Sequence, residues 1–85
     1  MTLRIERHLA GRIPTLRLIG HLRSDHLEEL RAQMRGRETG MALDLEEVTL
    51  VDADAVRFLG WCESDGVSLL HCPPYVREWI IREGL

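Results

Sequence analysis

Two carboxylates stand one residue apart where an apolar segment meets a helix-forming one, in the stretch DLEEVTLVDADAVRFLG, residues 44–60. Asp52 and Asp54 could be metal ligands, a catalytic pair, a helix cap beside a surface acid, or the remains of a regulatory site. A catalytic pair needs a third group, a pocket and perturbed pKa values, and the sequence indicates none of these. Asp52 has the position of a helix N-cap, and Asp54 lies in the first turn, where the helix dipole favours a carboxylate. We therefore interpret the pair as one structural acid and one surface acid.

Histidine and cysteine give few further candidates for chemistry. His21 precedes the first helix and could bind a small ligand or metal together with the two aspartates, and this hypothesis stays open. Cys62 and Cys72 are too few for a disulfide framework, and we interpret both as small buried apolar residues. A metal site at His71 and Cys72 is disfavoured because adjacent residues of an extended chain point in opposite directions. Neither Ser24 nor Ser64 has the G-x-S-x-G context of a nucleophile. Since no catalytic pair is indicated either, we expect no enzyme and no cofactor.

The helix that follows Asp52 has two distinct faces at about 100° per residue. Its sheet-facing side is predicted to hold Ala55, Val56, Leu59 and Cys62. Asp54, Arg57 and Trp61 fall together on the opposite side. Tryptophan and arginine are enriched at protein contact sites, so these residues are candidates for binding a partner. The alternative is that Trp61 tucks under the N-terminal hairpin or the third helix.

The elements that must position these residues alternate between strand and helix patterns. A hairpin is predicted over residues 3–20, with its turn around Gly11 and its second strand ending at Gly20. A first helix is predicted from an N-cap at Ser24 to a stop at Gly36 or Gly40, with Leu27, Leu30 and Met34 facing inward. A buried strand covers MALDL (41–45), the second helix starts near Asp52, and VSLL (67–70) is a fourth strand. The third helix opens with proline, ends at Gly84, and faces inward through Val76, Trp79 and Ile80.

The order β-β-α-β-α-β-α predicts an α/β domain with a four-stranded mixed sheet and three helices. Right-handed crossovers would make its last three strands parallel. The 85 residues are expected to form a single domain, 1–85, with 45% hydrophobic and 29% charged residues. A net charge of −3 argues against nucleic-acid binding. No signal or membrane segment is evident, so we expect no membrane insertion and a cytoplasmic location.

Three segments carry a family likeness: LRLIGHL before the first helix, ALDLEEVTLVDADAV around the second, and CPPYVREWIIREGL at the end. With the order of elements, they resemble the STAS domain of bacterial anti-sigma factor antagonists. Asp44-Leu45 match the family's strand end, and Val51-Asp52 match its hydrophobic-Asp pair. The resemblance implies a cytoplasmic, non-enzymatic protein that docks on an ATP-handling partner. That partner would be a serine kinase that sequesters a sigma factor, or the ABC-type ATPase of a lipid transport system, of which the chain would be an accessory subunit.

The chain departs from the family at the residues that carry the switch. Ala53 stands where the family has its phosphorylated serine or threonine, Asp54 replaces a second hydroxyl residue, and Ala55 replaces glycine. The loop Gly20-His21-Leu22-Arg23 is basic where the family is often acidic. If the missing hydroxyl group at Ala53 decides the outcome, partner binding is permanently on, because no phosphate can be added to the interface. If Asp54 imitates a phosphorylated residue, partner binding is permanently off.

The predicted partner-binding residues combine the resemblance with the helix faces: His21, Arg23, Ser24, Asp52, Ala53, Asp54, Arg57 and Trp61. A second copy of the chain is another candidate partner. Tyr75 and Ile81 fall outside the apolar stripe of the last helix. The chain also stops at Leu85, where longer family members continue, which would leave a strand edge uncovered. These features favour a homodimer.

Overall fold

The computed structural model describes residues 2–35 and 40–84 and shows the predicted α/β architecture, a four-stranded mixed sheet with three α-helices. The strands are β1 (Leu3–Ala10), β2 (Ile13–Leu22), β3 (Ala42–Val51) and β4 (Ser68–Leu70). The helices are α1 (Leu27–Met34), α2 (Ala53–Ser64) and α3 (Pro74–Glu83), and a short 3-10 turn, Ser24–His26, precedes α1. The predicted stop at Gly36 lies outside the described residues. None of the described helices is long and apolar enough to span a membrane.

The strands lie in the sheet in their order along the chain, β1-β2-β3-β4. β1 and β2 form the predicted hairpin, antiparallel from Leu3 opposite Gly20 to Ala10 opposite Ile13. Gly11 takes the tight turn with φ 68°, a left-handed conformation that glycine adopts without strain. β3 pairs parallel with β2, and β4 pairs parallel with β3, which confirms the predicted direction of the last three strands.

One hydrophobic core joins the three helices to one face of the sheet. Alternate strand residues such as Leu16, Leu18 and Leu43 face it, while Arg17 and Asp44 point to the opposite face because side chains alternate along a strand. The predicted inward faces of the helices are confirmed, with Leu27 and Trp79 only partly buried. The fully buried helix residues of this core include Leu30, Val56, Leu59 and Val76.

Two predicted strand ends are wrong. β2 continues past Gly20 to Leu22, and β3 continues past Leu45 to Val51, because the two strands pair in parallel as far as Leu22 opposite Val51. Asp44 is therefore a mid-strand residue rather than the end of a strand. The pairing is interrupted by two irregularities, between Arg17 and Ile19 and between Gly20 and His21, and resumes after each with a shifted register.

Ser24 is not the N-cap predicted for the first helix. It is the first residue of the 3-10 turn, and the amide of His26 donates a hydrogen bond to the Arg23 carbonyl at 2.9 Å. The backbone amide of Ser24 instead donates to the side chain of Asp52, 28 residues further along the chain. A tertiary contact therefore takes the place of the local cap that the sequence indicates.

Candidate functional site

Five of the eight predicted partner-binding residues gather where β2 and β3 end side by side. Because these strands are parallel and Leu22 lies opposite Val51, the segments that follow them leave the sheet at the same edge. Arg23 and Ser24 follow β2, and Asp52, Ala53 and Asp54 follow β3. We call these five residues the carboxyl-edge surface.

Asp52 holds the two halves of the carboxyl-edge surface together. Its Oδ1 accepts a hydrogen bond from the Ala55 amide at 2.9 Å, which confirms the predicted cap of α2. Its Oδ2 accepts from the Ser24 amide at 2.8 Å. Burial would raise the pKa of Asp52, but the hydrogen bonds from Ser24 and Ala55 and the charge of Arg23 outweigh it and lower the pKa. Asp52 is therefore an ionised carboxylate with a backbone donor on each oxygen.

Ala53 and Asp54 form the first turn of α2 beside this bridge. Ala53, partly exposed, is the first residue of the helix and offers only a methyl group. Asp54 is exposed and pairs with Arg57, its Oδ1 lying 3.0 Å from Arg57 Nη1. Arg57 Nε also donates to Glu83 Oε1 of α3 at 3.0 Å. The Asp54 charge is thus partly neutralised within the chain.

Trp61 lies at the surface, with 51% of the residue exposed, so the tucked-in alternative is wrong. It lines an open groove of about 320 Å³ between α1 and α2, whose walls include Met34 and Phe58. The Arg31 guanidinium lies 5.3 Å from the centre of the Phe58 ring, a cation–π contact at the groove. The predicted exposure of Asp54, Arg57 and Trp61 is confirmed, but Trp61 belongs to this groove rather than to the carboxyl-edge surface.

His21 is also separate from that surface. It lies within β2 opposite Leu50, and alternation places it on the other face of the sheet from its core-facing neighbour Leu22. The three residues considered for a small ligand, His21, Asp52 and Asp54, do not come together as a metal site. Within the described ranges, a different set of three residues brings potential ligand atoms within 4.8 Å of one another: Asp44, Glu46 and His71.

That group is built around Asp44, which is 3% exposed. Asp44 Oδ1 accepts from the Glu46 amide at 3.0 Å and lies 3.2 Å from His71 Nδ1. Arg17 Nε lies 3.7 Å from Oδ2 and is buried with no hydrogen-bond partner among the described residues. Burial would raise the pKa of Asp44, but the Glu46 amide, His71 and Arg17 together lower it.

The Asp44 cluster fits an internal ion-pair network better than a metal centre. Asp44 Oδ1 already has two polar neighbours, and the Arg17 cation faces the other oxygen. The expectation that a metal site at His71 and Cys72 is disfavoured did not extend to Asp44, and the pairing of His71 with Asp44 was not predicted. The available signal was an aspartate inside an otherwise apolar strand, since a buried carboxylate needs partners.

The cysteines have the structural character that the sequence indicates, to different degrees. Cys62 is buried, and this burial raises its pKa to about 12. Cys72 is only partly buried; burial raises its pKa too, and its Sγ lies 3.7 Å from the Pro73 carbonyl. Neither thiol is activated, because nucleophilic cysteines have lowered pKa values.

A scan against protein-family models gives no match for this chain, and a search of curated proteins gives none either. What the protein does is therefore inferred from its own residues.

Proposed function

We propose that the chain is a non-enzymatic, STAS-type protein-interaction module that docks on a cytoplasmic ATP-binding partner or regulator without a phosphorylation switch. The observation that carries the proposal is the double hydrogen bond of Asp52 to Ser24 and Ala55. It fixes two segments distant in sequence into one surface. A surface fixed before binding loses less conformational entropy on association.

The chemistry of the carboxyl-edge surface supports binding rather than turnover. Both Asp52 oxygens are engaged by backbone amides, so this carboxylate serves structure. Ala53 has no hydroxyl group that could accept a phosphoryl group. Asp54 shares its charge with Arg57 and lacks the additional oxygens and charge of a phosphate. We therefore favour constitutive binding over permanent phosphate mimicry.

The proposal is tested by adding a charge to this surface. Ala53→Glu places a carboxylate in the middle of it, and Ala32→Glu makes the same exchange at an exposed position of α1. Tagged wild-type and variant chains are used to capture proteins from a lysate of the source organism, with quantitative mass spectrometry. An ATP-binding protein retained by wild type and Ala32→Glu, but lost with Ala53→Glu, supports the proposal.

The same experiment can contradict the proposal. If the wild type captures no ATP-binding protein and no regulator, the proposed function is contradicted. Equal capture by all three chains moves the interface away from the carboxyl-edge surface. Circular dichroism on each variant verifies that the fold is retained. The variant Asp54→Lys then tests the charge at the neighbouring position, where unchanged capture would exclude phosphate mimicry.

A further inference from the structure

β1 is the long edge strand of the sheet. It covers eight residues and has one neighbour among the described residues, the antiparallel strand β2. Backbone N–H and C=O groups on its other side are available for pairing with another strand. β4, at the opposite edge, has only three residues and offers a much shorter template.

Charges along β1 show which partner suits this edge. Arg4 and Glu6 lie on the face away from the core and form a salt bridge with each other. Leu3 and Ile5 lie on the core face and are only partly buried. We propose that β1 pairs antiparallel with β1 of a second copy, around a two-fold axis at Ile5, to form a continuous eight-stranded sheet.

This register places opposite charges directly across the new interface. Arg4 of each copy lies opposite Glu6 of the other, so four charges alternate in sign around the axis. Ile5 lies opposite Ile5, on the face where the strand already packs on the core. Such cross-strand pairs stabilise a sheet, and like charges directly opposite destabilise it.

Neighbouring symmetric registers lack this complementarity. A two-residue shift in one direction places Glu6 opposite Glu6, and a shift in the other places Arg4 opposite Arg4. A one-residue slip of one strand would bring side chains from opposite faces against each other. Among these three symmetric registers, the charges of β1 favour the one centred on Ile5, and the occupant it fits is another copy of the same strand.

Charge exchange at the edge tests the proposal. Sedimentation equilibrium of the wild-type chain, up to about 1 mM, is expected to show a monomer–dimer equilibrium. Arg4→Glu and Glu6→Arg each create like-charge pairs across the axis and should weaken dimerisation about tenfold. The double variant Arg4→Glu/Glu6→Arg restores opposite charges and should recover most of the lost affinity.

Matched controls are available on α3, where Glu78 and Arg82 form an exposed salt bridge. Glu78→Arg and Arg82→Glu reproduce the same exchanges away from β1 and should leave dimerisation unchanged. A wild type that stays monomeric overturns the proposal. So does a dimer that the β1 exchanges do not weaken, or one that the double variant does not restore. A dimer weakened by the α3 exchanges instead would point to the surface that includes Tyr75 and Ile81.

Cross-linking gives a second measurement that does not depend on charge. Residues directly opposite in an antiparallel pair have Cβ atoms about 4.5–5.5 Å apart, close to the range that a disulfide bridges. Ile5→Cys should therefore form a disulfide-linked dimer under mild oxidation. Ser68→Cys, on the opposite edge strand, should not, and the wild type controls for Cys62 and Cys72. Equal cross-linking of both variants would contradict the β1 interface.

Discussion

Replacing Asp52 by alanine should destabilise the domain more than removing any exposed carboxylate nearby. The Ala55 amide would lose its cap, which typically costs about 1 kcal/mol. The Ser24 amide would lose a hydrogen bond to a charged group, and because this amide is exposed, water would replace part of it, for a further cost of about 1 kcal/mol. We expect a total loss of about 2 kcal/mol, a large fraction of the stability of a small domain.

Urea unfolding followed by circular dichroism measures this loss, provided that the denaturant slope is unchanged. Asp52→Ser keeps a capping oxygen but is too short to serve both amides, so it should recover only the cap. Asp54→Ala is the matched control, since its carboxylate is exposed and paired with Arg57; we expect a loss of about 0.5 kcal/mol. Amide hydrogen exchange should increase locally at Ser24 and Ala55 in Asp52→Ala.

The pH dependence of the Asp52 contribution has a defined sign. Its folded-state pKa lies below the ordinary value of 3.8, so the unfolded chain binds the proton more tightly. The stabilisation is fully present above that value and is lost as pH falls through the folded-state pKa. The difference between wild type and Asp52→Ala should therefore shrink in acid. Equal stability losses in Asp52→Ala and Asp54→Ala would refute the bridging role.

Gly20→Ala should cost about 1 kcal/mol or more beyond Gly66→Ala in urea unfolding. Both glycines have φ near +100°, but only at Gly20 would the new Cβ lie 2.7 Å from the Thr2 carbonyl oxygen. Equal losses of unfolding free energy in the two variants would show that the structure relieves this clash without cost. Asp44→Ala should destabilise the domain by about 2 kcal/mol near neutral pH and by less in acid, because the lowered pKa makes the Asp44 contribution disappear as pH falls. A loss that does not depend on pH would contradict the ion-pair interpretation. Cys62 should resist alkylation at pH 8 until the chain unfolds, because the thiol is buried and its pKa is raised to about 12. Peptide mapping by mass spectrometry measures the labelling. Labelling of Cys62 in the folded protein would contradict its burial.

Local patterns of the sequence were enough to predict α2. Its apolar residues recur with the helical period, and Asp52 precedes them with a side chain that can cap the first turn. The inward and outward faces followed from this geometry alone. The hairpin and the start of α3 were predicted for the same reason, since Gly11 and the prolines act within a few residues of themselves.

The features that were missed depend on residues far apart in the chain. Glu46 and Glu47 interrupt the apolar pattern of β3, yet the strand continues because β2 supplies a partner as far as Val51. Ser24 was predicted to cap the first helix because serine is a common N-cap residue. In the structure it starts the 3-10 turn instead, and its backbone amide donates a hydrogen bond to the carboxylate of Asp52. The pairing of Asp44 with His71 likewise requires β3 and β4 to be neighbours, which periodicity does not report.

The order of strands in the sheet has a consequence for how the chain folds during its synthesis. Each strand pairs with the one that precedes it, so the sheet can grow outward from the hairpin in the order in which a ribosome delivers the chain. A hairpin closes within microseconds, whereas parallel pairing must wait for a helical crossover. Both parallel pairings, β3 with β2 and β4 with β3, need such a crossover, so we expect them to form after the hairpin. The Asp52 to Ser24 hydrogen bond joins segments from the two sides of the first crossover and is expected to form together with it.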